Sequence, residues 1–446
     1  MAGYRGVVSL DEGIRTWVED VMRGRVAVAN RNSGGGSRES YFLEVTPSGG
    51  GEAAGAVLRI EAGGSFTGTE INVTKEAVMY RALHGAGIPV PRVLGLAPGG
   101  TALLLERIPG RGDLGDGEEE RHATMVDFVD VIADMHSIGV DTLELPGFPR
   151  PRSAEEHARL DLGAWAQLAA DRVDRLDPLA RYAQAYLLAH PPAAVDRTVV
   201  VQGDTGPGNF VADRGKVTGL CDMEFSHLGD PMDDIAWMLY RAFGETPDPE
   251  PFLDQYSARS GIPIAWDRVA YYAVAVQYRC VVTTSMAVSR GGGAKGWPPY
   301  LLVTERYLLG LAKTLTALLG ISEPDPADVP TIPDTPRSSW YDALMTATRS
   351  AVKAIPDPAL AEEVRNHQIL IHYLRAYDLV GTLVEDRNRE DMRRTFGIAE
   401  EGKELDDLAE RAGTAGDEAA LRFLLRRTSR NRLLWRTLLD RALRPS

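Results

Sequence analysis

The stretch Val199–Phe225, VVVQGDTGPGNFVADRGKVTGLCDMEF, decides how the rest of the chain is read. Three valines form a short apolar strand ending at Gln202-Gly203-Asp204. A turn in which Gly203, Gly206 and Gly208 permit reversal and Pro207 stiffens it then reaches Asn209. A second apolar strand delivers Asp222. A carboxylate, an amide and a second carboxylate thus stand at the tips of two strands. Phosphoryl transfer from a nucleotide needs such a set: oxygen ligands for metal ions and a carboxylate near the attacking hydroxyl. Asp204 and Asn209 keep the D-x-x-x-x-N spacing of that chemistry. Asp204 can orient or deprotonate a hydroxyl, the amide oxygen of Asn209 suits Mg²⁺, and Asp222 supplies a charged ligand. Taken alone, the same spacing also fits an ordinary strand connection.

Length and composition bound the setting. With 446 residues, two or three domains are expected. A hydrophobic fraction of 44% beside 25% charged residues is that of a folded globular chain. No run of about 18 apolar residues occurs, so no membrane span or membrane partner is expected. Acidic residues from Asp11 to Asp20 argue against a secretory leader. The two cysteines, Cys221 and Cys280, sit in apolar stretches without metal-ligand spacing, which predicts buried thiols in a cytoplasmic setting. The net charge of −14 argues against nucleic acid as a partner, because phosphate backbones require a positive field.

Upstream, residues 1–24 read as a helix, and VAVANRNSGGGSRESYFLEV as strand, glycine-rich turn, strand. AVLRI, PRVLGL and TALLLER predict further strands, and INVTKEAVMYRALHGAG an amphipathic helix among them. Beyond Pro109 helices dominate, the longest being DRVAYYAVAVQYRCVVTTSMAVSR. ISEPDPADVPTIPDTPRSS carries five prolines and reads as a semi-rigid linker before a helical appendage. The resulting division is 1–106, 107–320, the 321–337 linker and 338–446.

QGDTGPGN followed by CDMEFSHLGDPMDDIA resembles the H-G-D-x-x-x-x-N and I-D-F-E-x-x-x-x-G-D-P-x-x-D-L-A motifs of the aminoglycoside phosphotransferase and choline kinase-like family. The resemblance covers residues from about 15 to 319. It implies an α+β, bilobal protein kinase-like fold, here with an extra C-terminal helical domain. It further implies ATP as phosphate donor, Mg²⁺, a small-molecule hydroxyl as acceptor, Asp204 as the catalytic carboxylate, and Asn209 and Asp222 as metal ligands. Asp230 and Asp234 become structural acids at the start of the following helix, and His136 a structural histidine. NSGGGSRESYFLEV is similar to the family's phosphate loop, which assigns Gly35, Gly36 and Ser37 to ATP. Arg59 falls where the family pairs the phosphates and Glu76 where it orients that cation. The backbone carbonyl of Glu106 and amide of Ile108 fall at the hinge that meets adenine. The long late helix resembles a subgroup associated with acyl-CoA dehydrogenases, whose acceptors are hydroxyacyl-CoAs. An aminoglycoside acceptor, and a silent nucleotide-binding module, remain alternatives.

The chain departs from the family at three points. Gln202 replaces a histidine, Arg59 a frequent lysine, and Gly206-Pro207 stand where protein kinases carry a lysine for the transferring phosphoryl group. That last charge must be found elsewhere. The terminal LRFLLRRTSRNRLLWRTLLDRALRPS holds eight arginines and one acid. Its expected state is a leucine-packed helical hairpin, with the arginines solvated or paired with acids of KELDDLAERAGTAGDE. A membrane surface, an acidic partner or the phosphates of a bulky substrate are the other readings.

Overall fold

The computed structural model describes residues 10–31, 38–61, 71–243, 248–289, 297–322 and 335–442. Gly35, Gly36 and Ser37 of the glycine-rich turn, and most of the proline-rich segment, lie outside them. The chain folds as two compact units, residues 1–160 with 193–269, and residues 161–192 with 270–446.

The first unit begins with helix α1 (Glu12–Met22), whose free N–H groups are capped by Asp11, which accepts from Gly13 and Ile14 at 2.9 and 3.1 Å. Strands β1 (Gly24–Arg31), β2 (Glu39–Pro47), β3 (Ala54–Ile60), β4 (Val93–Leu96) and β5 (Ala102–Glu106) form an antiparallel sheet in the order β1-β2-β3-β5-β4. Alternation along the strands buries Tyr41, Leu43 and Val45 of β2 with Ala56, Leu58 and Ile60 of β3, in one cluster with Val18 of α1. Arg59 alternates with Leu58 and Ile60, and so leaves that core for the face of helix α2 (Val73–Gly85).

The same unit continues through helix α3 (Glu118–Ser137) and the first part of α4 (Ala154–Arg172). Two hairpin-like pairs follow, β6 (Val199–Val201) with β9 (His227–Gly229) and β7 (Phe210–Asp213) with β8 (Lys216–Leu220). Phe128 of α3 packs on Phe210 of β7, with ring centroids 4.8 Å apart, and seats the second pair. After α5 (Pro178–Ala189), which belongs to the second unit, come α6 (Pro231–Arg241), α7 (Glu250–Ser260) and the start of α8 (Trp266–Ser289). The antiparallel sheet with its helix, followed by a mainly helical remainder, is the α+β architecture expected.

The second unit is helical. It holds the remainder of α4 and α8, α5, α9 (Pro298–Leu319), α10 (Ser338–Ala354), α11 (Pro358–Ala376), α12 (Thr382–Phe396), α13 (Lys403–Ala415), α14 (Glu418–Asn431) and α15 (Arg436–Ala442). Between α11 and α12 the helix widens into one π turn, Tyr377–Gly381. The arginines of α14 are paired, but mostly with other acids than expected. Arg427 makes a two-pronged contact with Glu401 at 2.9 and 3.0 Å and reaches Asp177 at 2.9 Å. Arg426 and Arg430 converge on buried Asp391. Only Arg422 uses the anticipated run, through Glu418 one turn away. The reason is geometric: Asp391 and Glu401 come from α12 and the segment before α13, which folding brings beside α14. No described helix is long and apolar enough to cross a membrane.

Helix α5 lies against α13 so closely that a Cβ on Gly413 would run into the Tyr182 carbonyl oxygen. Gly413→Ala is therefore expected to destabilise the chain by about 1–3 kcal/mol, read as a lower midpoint in urea unfolding. An unchanged midpoint would contradict that contact.

Candidate active site

The loop between β6 and β7 carries Asp204 and Asn209, and its shape is imposed from α6. Asp234, completely buried, accepts hydrogen bonds from the backbone N–H of Gln202 at 2.8 Å and of Gly203 at 3.0 Å, and from the hydroxyl of Thr205. His136 of α3, also buried, meets the same carboxylate at 3.1 Å and the Tyr256 hydroxyl at 2.7 Å. Asp230 caps α6 through the N–H of Met232 and is paired with Arg268 at 3.0 Å. Gly203 has φ +84°, and a Cβ there would lie 2.5 Å from the Phe225 carbonyl oxygen, so a side chain is doubly excluded.

Gln202 acts as a strap. Its amide nitrogen donates to the carbonyls of Asn209 at 3.2 Å and Cys221 at 2.7 Å, tying the loop to the end of β8. The N–H of Cys221 returns a bond to the Asn209 carbonyl at 2.8 Å. These links set Asp222 beside the loop, in a left-handed conformation with φ +57°. Burial beside Asp222 pushes the Cys221 thiol up to about 12, so it stays protonated and inert near neutrality.

Asn209 donates its amide nitrogen to the Asp204 carboxylate at 2.6 Å and to the Asp204 carbonyl at 2.8 Å. Its amide oxygen is the end left to accept a hard cation, as is the partly exposed carboxylate of Asp222. Burial and the field of Asp222 push the Asp204 carboxyl up to about 6, against the pull of Arg241 and Asn209.

Opposite the loop, Arg59 of β3 donates to Asp222 at 2.7 Å and to Glu224 at 2.9 Å, and pairs with Glu76 of α2 at 3.0 Å. Sequence reading linked Arg59 with Glu76, and the structure brings them together. Arg38 was not anticipated: it reaches Glu224 at 3.2 Å and Glu76 at 3.4 Å. Two arginines thus face three acids, before Glu61 is added at 3.6 Å from Arg38. Burial and this acid excess push Glu224 up to about 8. Charge balance and donor chemistry both fit an added divalent cation.

Arg241, at the end of α6, was also missed. It sits 2.5 Å from the Asp204 carboxylate and donates to the carbonyls of Asp204 and Pro207, both at 2.7 Å. Its stem crosses Gly206 so closely that a Cβ there would lie 2.6 Å from that of Arg241. Glycine at 206 makes room for an arginine where protein kinases place the lysine on the loop itself. Glu106 ends β5, its side chain paired with Arg92 at 3.3 Å, and Ile108 lies on Gly219 of β8.

Removing the Asp234 carboxylate should free the loop it holds. In Asp234→Ala, amide exchange at Gln202 and Gly203 is expected to accelerate strongly, with a stability loss of about 3 kcal/mol or more for the unpaired buried donors. Unchanged protection of both amides by hydrogen-exchange mass spectrometry would contradict the anchoring.

Comparison with known proteins agrees with this geometry. Residues 28–272 match the phosphotransferase enzyme family (APH). The chain is 25% identical over 231 residues to human acyl-CoA dehydrogenase family member 11, covering 48% of this chain but only 29% of the relative. It is 29% identical over 220 residues to an aminoglycoside 3′-phosphotransferase of Streptomyces fradiae, covering 45% of this chain and 77% of that one. Among solved structures, choline kinase LicA from Streptococcus pneumoniae superposes with a TM-score of 0.50 at 16% identity, over 68% of this chain and 98% of its own. With a match that takes in more than half of its length, including the loop of Asp204 and Asn209, the chain belongs to the phosphotransferase enzyme family.

Proposed function

We propose that this chain transfers a phosphoryl group from ATP to a hydroxyl of a small molecule, and that the acceptor is a hydroxyacyl-CoA. The observation that carries the phosphotransferase reading is the convergence of Asp204, Asn209 and Asp222 on one strapped loop, with Arg59 bonded across to Asp222. Asp204 receives the acceptor hydroxyl and polarises it, while Asn209 keeps the carboxylate turned toward it. Asn209 and Asp222 would hold Mg²⁺, which would supply positive charge against that of the phosphates. Arg59, oriented by Glu76, would pair the phosphates. Arg241 supplies the positive charge missing from Gly206-Pro207, holding the loop carbonyls and favouring the ionised form of Asp204. Gly35, Gly36 and Ser37 cover the phosphates, and the backbone of Glu106 and Ile108 meets adenine.

The acyl-CoA acceptor is supported by similarity to human acyl-CoA dehydrogenase family member 11 and mouse member 10. A second reading, an aminoglycoside acceptor, is favoured by the higher identity and fuller coverage of the S. fradiae enzyme. Mg-ATP turnover against hydroxyacyl-CoAs, aminoglycosides, choline-like alcohols and sugars, with product mass read directly, separates the two. Binding of Mg-ATP without turnover of any acceptor would instead favour a silent module.

Asp204→Ala should lower kcat by at least about 10³-fold while leaving ATP affinity within a few-fold, measured by single turnover and calorimetry. Surviving turnover would remove Asp204 from the mechanism. Arg241→Ala should lower kcat by about 10- to 100-fold with less effect on KM, since it acts through Asp204 and the developing charge. Arg241→Lys should recover part of this, because it restores the charge without the fork.

The sign of the pH dependence follows from the raised carboxyl. Only ionised Asp204 accepts a proton, so kcat/KM should fall about tenfold per unit below a limb near 6. Metal at Asp222 favours the ionised form, and saturating Mg²⁺ should move the limb to lower pH. A limb that ignores metal concentration would contradict the assignment.

A further inference from the structure

The second unit contains a cavity of about 750 Å³ between α9, α11, α12 and the end of α14, within the size range of small-molecule sites, about 300–1,000 Å³. The aromatic rings of Tyr373, Tyr377 and Trp435 line it, those of Tyr373 and Trp435 being 4.6 Å apart. Its charged groups are Glu305, Glu385, Glu400 and Glu401 against Arg389 and Arg427.

The two cations are already engaged. Arg427 is held by Glu401 and Asp177, and Arg389 by Asp386 at 2.6 Å. The acids are less evenly served. Glu385 accepts a hydrogen bond from the Tyr377 hydroxyl. Glu305 has no cation within salt-bridge distance among the described residues; Trp435 hydrogen-bonds to it, Arg427 attracts it and Asp177 repels it. Its carboxylate is shared with a smaller adjoining cavity of about 240 Å³, also lined by Trp435 and Arg427. An anion entering here would meet more acids than cations among the described residues that line the cavity, and both of those cations are already paired. A cation would find a carboxylate without a counter-ion and aromatic faces whose quadrupoles attract positive charge.

We propose that this cavity binds a protonated organic amine, its ammonium group against Glu305 and its carbon chain along Trp435, Tyr373 and Tyr377. The site is separate in composition from the phosphotransferase loop and shares no residue with it. Burial and the neighbouring Asp177 push the Glu305 carboxyl up to about 7, and ammonium binding needs it ionised. The charged and titratable groups that line the two cavities with it are Asp177 and Arg175 ahead of α5, Tyr373 on α11, Tyr377 in the π turn, Glu385 and Arg389 on α12, Glu400 and Glu401 ahead of α13 and Arg427 on α14.

The test is calorimetric titration of the full chain with 1,4-diaminobutane, beside Glu305→Gln and Asp204→Ala. Wild type and Asp204→Ala should bind alike, and Glu305→Gln at least tenfold more weakly, with unchanged circular dichroism. Affinity for wild type should also rise from about pH 6 to about pH 8 as the carboxyl ionises. The proposal is overturned by absence of saturable binding at millimolar amine, by undiminished binding in Glu305→Gln, or by loss in Asp204→Ala, which would place the amine in the phosphotransferase site. Should Glu305→Gln fail to fold, the wild-type pH series decides: a flat or falling affinity over that range overturns the proposal.

Discussion

A single buried carboxylate, that of Asp234, organises the loop that carries Asp204 and Asn209. It collects two backbone N–H groups, a threonine hydroxyl and an imidazole where water cannot compensate any of them. Each of those donors would otherwise be left unsatisfied, so the loop has one low-energy path rather than several. Every later feature depends on that path. Gln202 straps the loop to β8 only because its backbone is held, and the strap in turn sets Asn209 and Asp222 within reach of one another. At this position the glutamine amide can donate to two carbonyls at once.

The second constraint is electrostatic. Arg38 and Arg59 are buried among more acids than they can neutralise, and two of those acids, Glu76 and Glu224, are pushed upward by burial. Such a cluster is costly in a dry interior unless a further positive charge joins it. An added divalent cation would supply that charge, and the pairing of Arg59 with Asp222 holds both groups in register without it. Arg241 plays the corresponding part on the other side of Asp204. It places a cation beside the Asp204 carboxylate from the end of α6.

Much of this could be read along the chain. The strand alternation around Leu43 and Leu58, the loop spacing of Asp204 and Asn209, and the arrival of Asp222 after an apolar strand are local signals, carried by residues close in sequence. So was the pairing of Arg59 with Glu76, and the structural parts of His136, Asp230 and Asp234. Arg38 and Glu224 sit next to recognised motifs, but their partners are distant in sequence, so nothing local marked their side chains as joined. Arg241 had no local signal, because it lies thirty-seven residues from Asp204, at the end of helix α6.

The C-terminal arginines show the same division. Their abundance and the need for acid partners were evident from composition, but proximity in sequence pointed to the acid that Arg422 uses and not to those of Arg426, Arg427 and Arg430. Asp391, Glu401 and Asp177 are brought to α14 by packing of helices, and only that packing encloses the cavity around Glu305. The sequence by itself determined the family, the strand and helix order, and the residues that the loop brings forward, because these rest on short-range periodicity and spacing. Which charges meet was decided by tertiary structure alone. An ion pair depends on distance in space, and distance in space between remote residues exists only once the chain has folded.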